Sequence, residues 1–157
     1  LLVLTGSRIA QWYQQGRYHP LSLAASVKLA AQMVGIFDRY AVRVIRMGLQ
    51  ATDGLTENRQ VLAGPWHAAF GHLVRSEIMY NQACRKMDKF IESEAGSMKP
   101  KDSMNLEIKV HPRSDSRLRG NRSENIKRLR NRYTSVCLKV RHDDTLKADD
   151  VAVSVQA

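Results

Sequence analysis

Asn105-Leu106-Glu107-Ile108-Lys109-Val110-His111 alternates apolar and polar side chains with a period of two. That rhythm predicts a strand with Leu106, Ile108 and Val110 turned inward and Glu107 and Lys109 outward. Downstream, Ser123 precedes the run Glu124–Tyr133, in which Ile126 and Leu129 stand about one turn apart. The pattern predicts a helix capped by Ser123. Ser135–Arg141 reads as a second strand and Asp150–Val155 as a third. A strand, a helix and two further strands predict a βαββ unit over residues 105–157, with one helix covering one face of a small sheet.

Working upstream, residues 93–104 contain Gly, Ser, Lys and Pro and read as a linker. Phe70–Lys89 predicts a long helix with Leu73, Ile78, Ala83 and Met87 toward a core. A loop over 48–60 and a short apolar piece over 61–65, ended by Gly64-Pro65, precede it. Nearer the start, Leu1–Thr5 reads as a buried strand. Ser7 is placed to cap a helix over Arg8–Gln14 that stops at Gly16. Ser22 is placed to cap a helix over Leu23–Asp38, whose Val27, Ala30, Ala31, Val34 and Phe37 share a face. Tyr40–Met47 then reads as a strand. Strand, helix and strand in this order predict a parallel crossover. The expected class is α/β (α+β), with residues 1–92 as one part, 93–104 as linker and 105–157 as a second part. A chain that opens inside a strand at Leu1 is expected to be continued by an upstream half.

Composition narrows the classes. The 157 residues are 43% hydrophobic and 25% charged, the balance of a globular domain. No apolar run approaches the roughly 18 residues that cross a bilayer, so no membrane partner is expected. Cys84 and Cys137 lack a second Cys or His at ligand spacing, which predicts two reduced thiols and a cytoplasmic protein. The net charge is +10. Residues 99–157 hold 14 Lys and Arg against 8 Asp and Glu, so the positive density lies in the second part. Such a surplus implies affinity for anions.

Three stretches carry chemical signals. In Val44-Ile45-Arg46-Met47-Gly48-Leu49-Gln50-Ala51-Thr52 a strand runs into a loop, the position where parallel α/β sheets hold ligands. Arg46 and Gln50 offer hydrogen bonds there, and Gly48 admits a close approach. The plain alternative is a strand end with a glycine turn. In Gly64-Pro65-Trp66-His67-Ala68-Ala69-Phe70-Gly71-His72 the entrance to a helix could hold an anion near His67; a simple capped helix is the plain alternative. In Arg119-Gly120-Asn121-Arg122-Ser123-Glu124-Asn125-Ile126-Lys127-Arg128-Leu129, the residues Arg119, Arg122 and Arg128 are candidates for phosphate or carboxylate binding. The nine Lys and Arg of residues 109–132 meet only Asp115 and Glu124. Only Tyr133 is near for base stacking, which weakens recognition of single-stranded RNA. A solvated basic face is the plain alternative here.

At these residues the chain resembles the C-terminal region of a bacterial radical S-adenosylmethionine (SAM) family. That family is related to the Elongator catalytic subunit and is often called oxygen-independent coproporphyrinogen III oxidase-like. The resemblance rests on Arg46-Met47-Gly48-Leu49-Gln50-Ala51-Thr52, on Leu62 to Val74, and on the opening Leu2 to Ala10 with Tyr13 to Leu23. It covers most of residues 1–90 and, more loosely, 108–140. The family's commoner His-Pro step stands here as His67-Ala68. The resemblance implies a partial (β/α) barrel whose last strands are Leu1–Thr5 and Tyr40–Met47, followed by the βαββ extension. It implies that Arg46, Gly48, Leu49 and Gln50 face SAM or the substrate. It also implies a [4Fe–4S] cluster held by three thiolates spaced Cys-x3-Cys-x2-Cys in an upstream radical SAM half. Two cysteines cannot supply those thiolates, so this chain is expected to complete the barrel and support binding, not to catalyse alone. An anionic porphyrinogen and a tRNA are both compatible substrates for the parent. Two further readings remain: an RNA-binding module built on the basic unit, and a structural domain that dimerises through apolar surface along Leu1–Leu4 and Tyr40–Ile45.

Overall fold

The computed structural model describes residues 1–49, 60–94 and 104–156. The chain divides into two compact units, residues 1–74 and 75–157. Most of the expected linker, and residues 50–59 of the expected loop, lie outside the described residues.

The first unit contains β1 (Val3–Leu4), α1 (Arg8–Gln14), α2 (Leu23–Arg39) and β2 (Val61–Ala63). Both helix starts follow the residue chemistry. The Ser7 hydroxyl accepts from the Ala10 amide at 3.1 Å, and the Ser22 hydroxyl accepts from the Ala25 amide at 3.2 Å. Val27, Ala31 and Val34 of α2 are buried as their spacing predicts, whereas Phe37 is exposed. The two short strands pair antiparallel, Val3 with Ala63.

The parallel crossover expected from strand, helix and strand is not present. Leu1–Thr5 contributes a two-residue strand whose partner is β2. Residues 42–47 carry no strand, and Val42 and Ile45 are exposed. The reason is visible at the end of α2. Ala41 adopts φ of 54°, its amide donates to Asp38 C=O at 3.2 Å, and the Val42 amide donates to Phe37 C=O at 2.9 Å. These two bonds close a Schellman motif, which satisfies the last helical carbonyls and sets the direction of the following chain. Apolar β-branched residues then follow with no ladder partner among the described residues, so propensity alone makes no strand.

The helix α3 (Phe70–Glu94) begins in the first unit and continues into the second. The second unit adds β3 (Met104–Val110), α4 (Asp115–Arg119), α5 (Glu124–Arg132), β4 (Val136–His142) and β5 (Val151–Val155). Single 3-10 turns at Pro112–Ser114 and Asn121–Ser123 precede α4 and α5. The sheet order is β4-β3-β5, with β4 parallel and β5 antiparallel to the central β3. Thus the βαββ unit forms, and the mixed α+β class holds. Leu106, Ile108 and Val110 share one core with Met79, Ala83 and Met87 of α3 and with Leu118, Ile126 and Leu129. Two local expectations fail. Glu107 is buried, because β3 is flanked on both sides; Arg141 Nε lies 2.9 Å from its carboxylate. Ser123 makes no capping bond, because its own backbone is left-handed at φ of 59°.

Ala41 occupies the left-handed position that glycine fills most easily, as Gly16 does after α1 (φ of 70°). Ala41→Gly is expected to stabilise the chain by about 0.5–1 kcal/mol, since removal of the Cβ strain exceeds the entropy lost. Urea denaturation followed by helix signal checks this; a destabilised variant contradicts it.

Candidate functional site

Two of the three signalled stretches meet in the first unit. Leu1, Leu2, Gly48, Leu49, Pro65, Trp66, His67 and Phe70 line a cavity of about 320 Å³. Gly48 makes the meeting possible. Its φ is 81°, and a Cβ there would sit 3.0 Å from Phe70 Cβ. Residues 47–49 can therefore press against the first turn of α3 only with glycine at this point.

His67 is held at that same turn. Its Nδ1 accepts from the Ala69 amide at 3.0 Å, and its carbonyl accepts from the Phe70 amide at 3.0 Å. With Nδ1 accepting, the neutral ring carries its proton on Nε2, which remains a donor. Trp66 also lines the cavity. Its indole Nε1 is buried and has no hydrogen-bond partner among the described residues. The rest of the lining is apolar. Arg46 is exposed and does not line this cavity. Gln50 lies outside the described residues. His72 is exposed.

The basic stretch behaves differently. Arg128 Nη1 donates to Glu77 Oε2 at 2.7 Å, and Nη2 donates to Oε1 at 3.2 Å. The same guanidinium stacks on Tyr80, 3.6 Å from the ring centre. The bidentate bond to Glu77 raises the Arg128 pKa further, although burial opposes it. Burial raises the Tyr80 phenol above its ordinary value even with Arg128 beside it. Beneath this pair, Asn125 donates to Ser76 Oγ at 2.9 Å and to Ser76 C=O at 3.1 Å. Gly120 closes over the network, and a Cβ there would lie 3.0 Å from Asn125 Cγ.

Arg119 is likewise engaged, its Nε 2.7 Å from Asp115 Oδ2. Burial alone would raise the Asp115 pKa, but hydrogen bonds from Arg119 and His142 outweigh it and hold the carboxyl below its ordinary value. Arg117 pairs with Asp149 at 2.8 Å and Arg132 with Asp88 at 3.0 Å. Of the three predicted anion-binding arginines, Arg122 alone is exposed without an ion pair among the described residues, on a backbone at φ of 49°.

Cys84 is buried in the core of the second unit and Cys137 is exposed on β4. No group of three His, Cys, Asp or Glu suited to a metal occurs among the described residues. The residues present do not fit an iron–sulfur cluster. No helix among the described residues is long and apolar enough to cross a membrane.

The fold is of the mixed α+β class, with a pocket at a helix entrance in the first unit and several ion pairs in the second. The family described as Radical_SAM C-terminal domain matches residues 1–80, and the chain belongs to that family. No curated protein and no solved structure matches the chain.

Trp66 belongs to the Gly64–His72 stretch, but the burial of its indole nitrogen could not be read from composition. Glu77 and Ser76 gave no signal, because they meet Arg128 and Asn125 across about fifty residues of chain. Arg128→Ala is expected to cost about 2–4 kcal/mol, mostly by leaving Glu77 buried without its partner. Arg122→Ala is expected to change stability by less than about 0.5 kcal/mol. Chemical denaturation of the two variants checks this; equal costs contradict the assignment.

Proposed function

We propose that this chain is the substrate-facing end of a radical SAM enzyme, and that the cavity at Gly48, Leu49, Trp66 and His67 forms one wall of its SAM or substrate site. The observation that carries the reading is the convergence of residues 48–49 and 65–70 on one apolar cavity, within the segment that matches the family. A buried indole N–H without a partner costs on the order of 1–3 kcal/mol. A ligand acceptor would satisfy Trp66, and His67 Nε2–H would give a second bond. SAM, when bound, supplies the carbon radical in such enzymes. This chain's residues would orient a flat group against Leu49 and Phe70 and exclude water from it. The cluster would come from an upstream half.

That half is also the partner best suited to the first unit. Leu29, Met33, Ile36, Tyr40 and Ile45 are large, apolar and exposed, with Ile45 at 90%. Apolar surface on this scale favours a protein partner. An oxidoreductase of the oxygen-independent coproporphyrinogen III oxidase-like kind, acting on a small molecule, suits an apolar cavity of this size better than a tRNA-modifying enzyme does. Arg117, Arg119, Arg128, Arg132 and Arg141 are already ion-paired. The sheet face opposite the helices carries Glu107, Lys109, Lys139 and Arg141 and no aromatic residue. Stacked single-stranded RNA lacks a platform there.

The test uses Trp66 as its own reporter in a Trp12→Phe background. Titration with SAM or S-adenosylhomocysteine is expected to shift Trp66 emission saturably, and His67→Ala to weaken binding about tenfold, the cost of one hydrogen bond to a charged group. Emission unchanged by both ligands, with the fold intact by circular dichroism, overturns the proposal.

A further inference from the structure

The sheet of the second unit has two edges, and only one is guarded. The outer strand β4 carries Lys139, Arg141 and His142, all exposed. Charged residues along an edge discourage added strands. The other outer strand, β5, reads Val151-Ala152-Val153-Ser154-Val155, without charge or proline.

The register shows which groups β5 presents. Gln156 N–H donates to Asn105 C=O at 2.9 Å, so the Asn105–Gln156 pair is hydrogen-bonded. Antiparallel alternation then makes Glu107–Ser154 and Lys109–Ala152 the bonded pairs. The N–H and C=O groups of Val151, Val153 and Val155 therefore point away from β3. No strand among the described residues pairs with that edge.

Two cavities run beside the edge, between β5 and α3. One, of about 230 Å³, is lined by Gln82, Arg85, Lys86, Lys89, Asp150 and Val151. The next, of about 320 Å³, shares Lys86 and Lys89 and adds Phe90, Ser93, Ala152 and Val153. Its floor is partly apolar. Along the two cavities the helix supplies three cations, Arg85, Lys86 and Lys89, against one acid, Asp150, and none of the three forms an ion pair among the described residues. Gln82 Oε1 is buried there without a hydrogen-bond partner among the described residues.

A groove between a helix and an unguarded edge strand is the geometry in which extended peptides add to a sheet. We propose that β5 receives an acidic extended segment of a partner protein as a fourth strand. The segment's backbone pairs with Val153 and Val155, the two outward residues of β5 that are not buried. Its alternate carboxylates face Arg85, Lys86 and Lys89. The cations select the charge of the strand, and the ladder selects its extended form.

The probe is a fluorescently labelled heptapeptide, Val-Glu-Thr-Glu-Val-Glu-Thr, followed by polarisation with the full chain. Three controls accompany it: the same peptide with Lys for Glu, the same peptide N-methylated at alternate residues, and the chain carrying Lys86→Glu with Lys89→Glu. Both substitutions are on exposed helix positions and are expected to leave the fold intact. Saturable binding of the Glu peptide, weakened about tenfold or more by the double reversal and by N-methylation, supports the proposal. Binding of the Lys peptide equal to that of the Glu peptide overturns it, as does indifference to N-methylation or no binding by either. A dimer in sedimentation that the Glu peptide cannot dissociate also overturns it, by assigning the edge to a second copy.

Discussion

The second unit depends on one fit, the face of α3 carrying Met79, Ala83 and Met87 against the inward side chains of β3. Leu106, Ile108 and Val110 are all fully buried. Each such side chain is worth about 1.5–3 kcal/mol when withdrawn from water. With β3 central, β4 and β5 flank it on either side, and α4 and α5 complete the layer above. The same centrality buries Glu107 and obliges Arg141 to meet it. Hydrophobic burial thus sets the position, and the ion pairs follow from it.

The arginines are the second theme. A basic segment in a chain of net charge +10 invites a reading as an anion site. In the fold, four of the nine Lys and Arg of residues 109–132, namely Arg117, Arg119, Arg128 and Arg132, are tied up in ion pairs. Arg128 joins α5 to α3 through Glu77, Arg119 joins Asp115, and Arg132 joins Asp88. The partly buried Glu77 explains why an arginine is used: a bidentate fork satisfies both carboxylate oxygens at once. Arg85, Lys86 and Lys89, along the α3 rim beside β5, form no ion pair among the described residues.

Much of the fold was legible in local chemistry. Ser7 and Ser22 start helices because their hydroxyls reach the third amide, and the period-two rhythm of 104–110 makes β3. What misled was residues 40–47. Its valines and isoleucine read as a strand, yet a strand exists only with a neighbour, and the turn at Ala41 sends these residues elsewhere. The cavity was half legible. Gly48, Leu49 and His67 were marked by motif, with Trp66 and Phe70 in the same stretch as His67, but Leu1 and Leu2 joined them only through folding. Glu77 and Ser76 were invisible, since no local pattern links positions so distant in sequence to Arg128 and Asn125.

The chain belongs to the radical SAM C-terminal family over residues 1–80, and the binding wall at Gly48 and His67 is the function proposed for it. The central claim is that the ligand wall lies at Gly48 and His67 and not in the basic second unit. Hydrogen–deuterium exchange of the chain with and without SAM tests it most directly. Slowed exchange at residues 46–49 and 64–70, with 117–132 unchanged, is the expected result. Slowed exchange confined to 117–132 would contradict it.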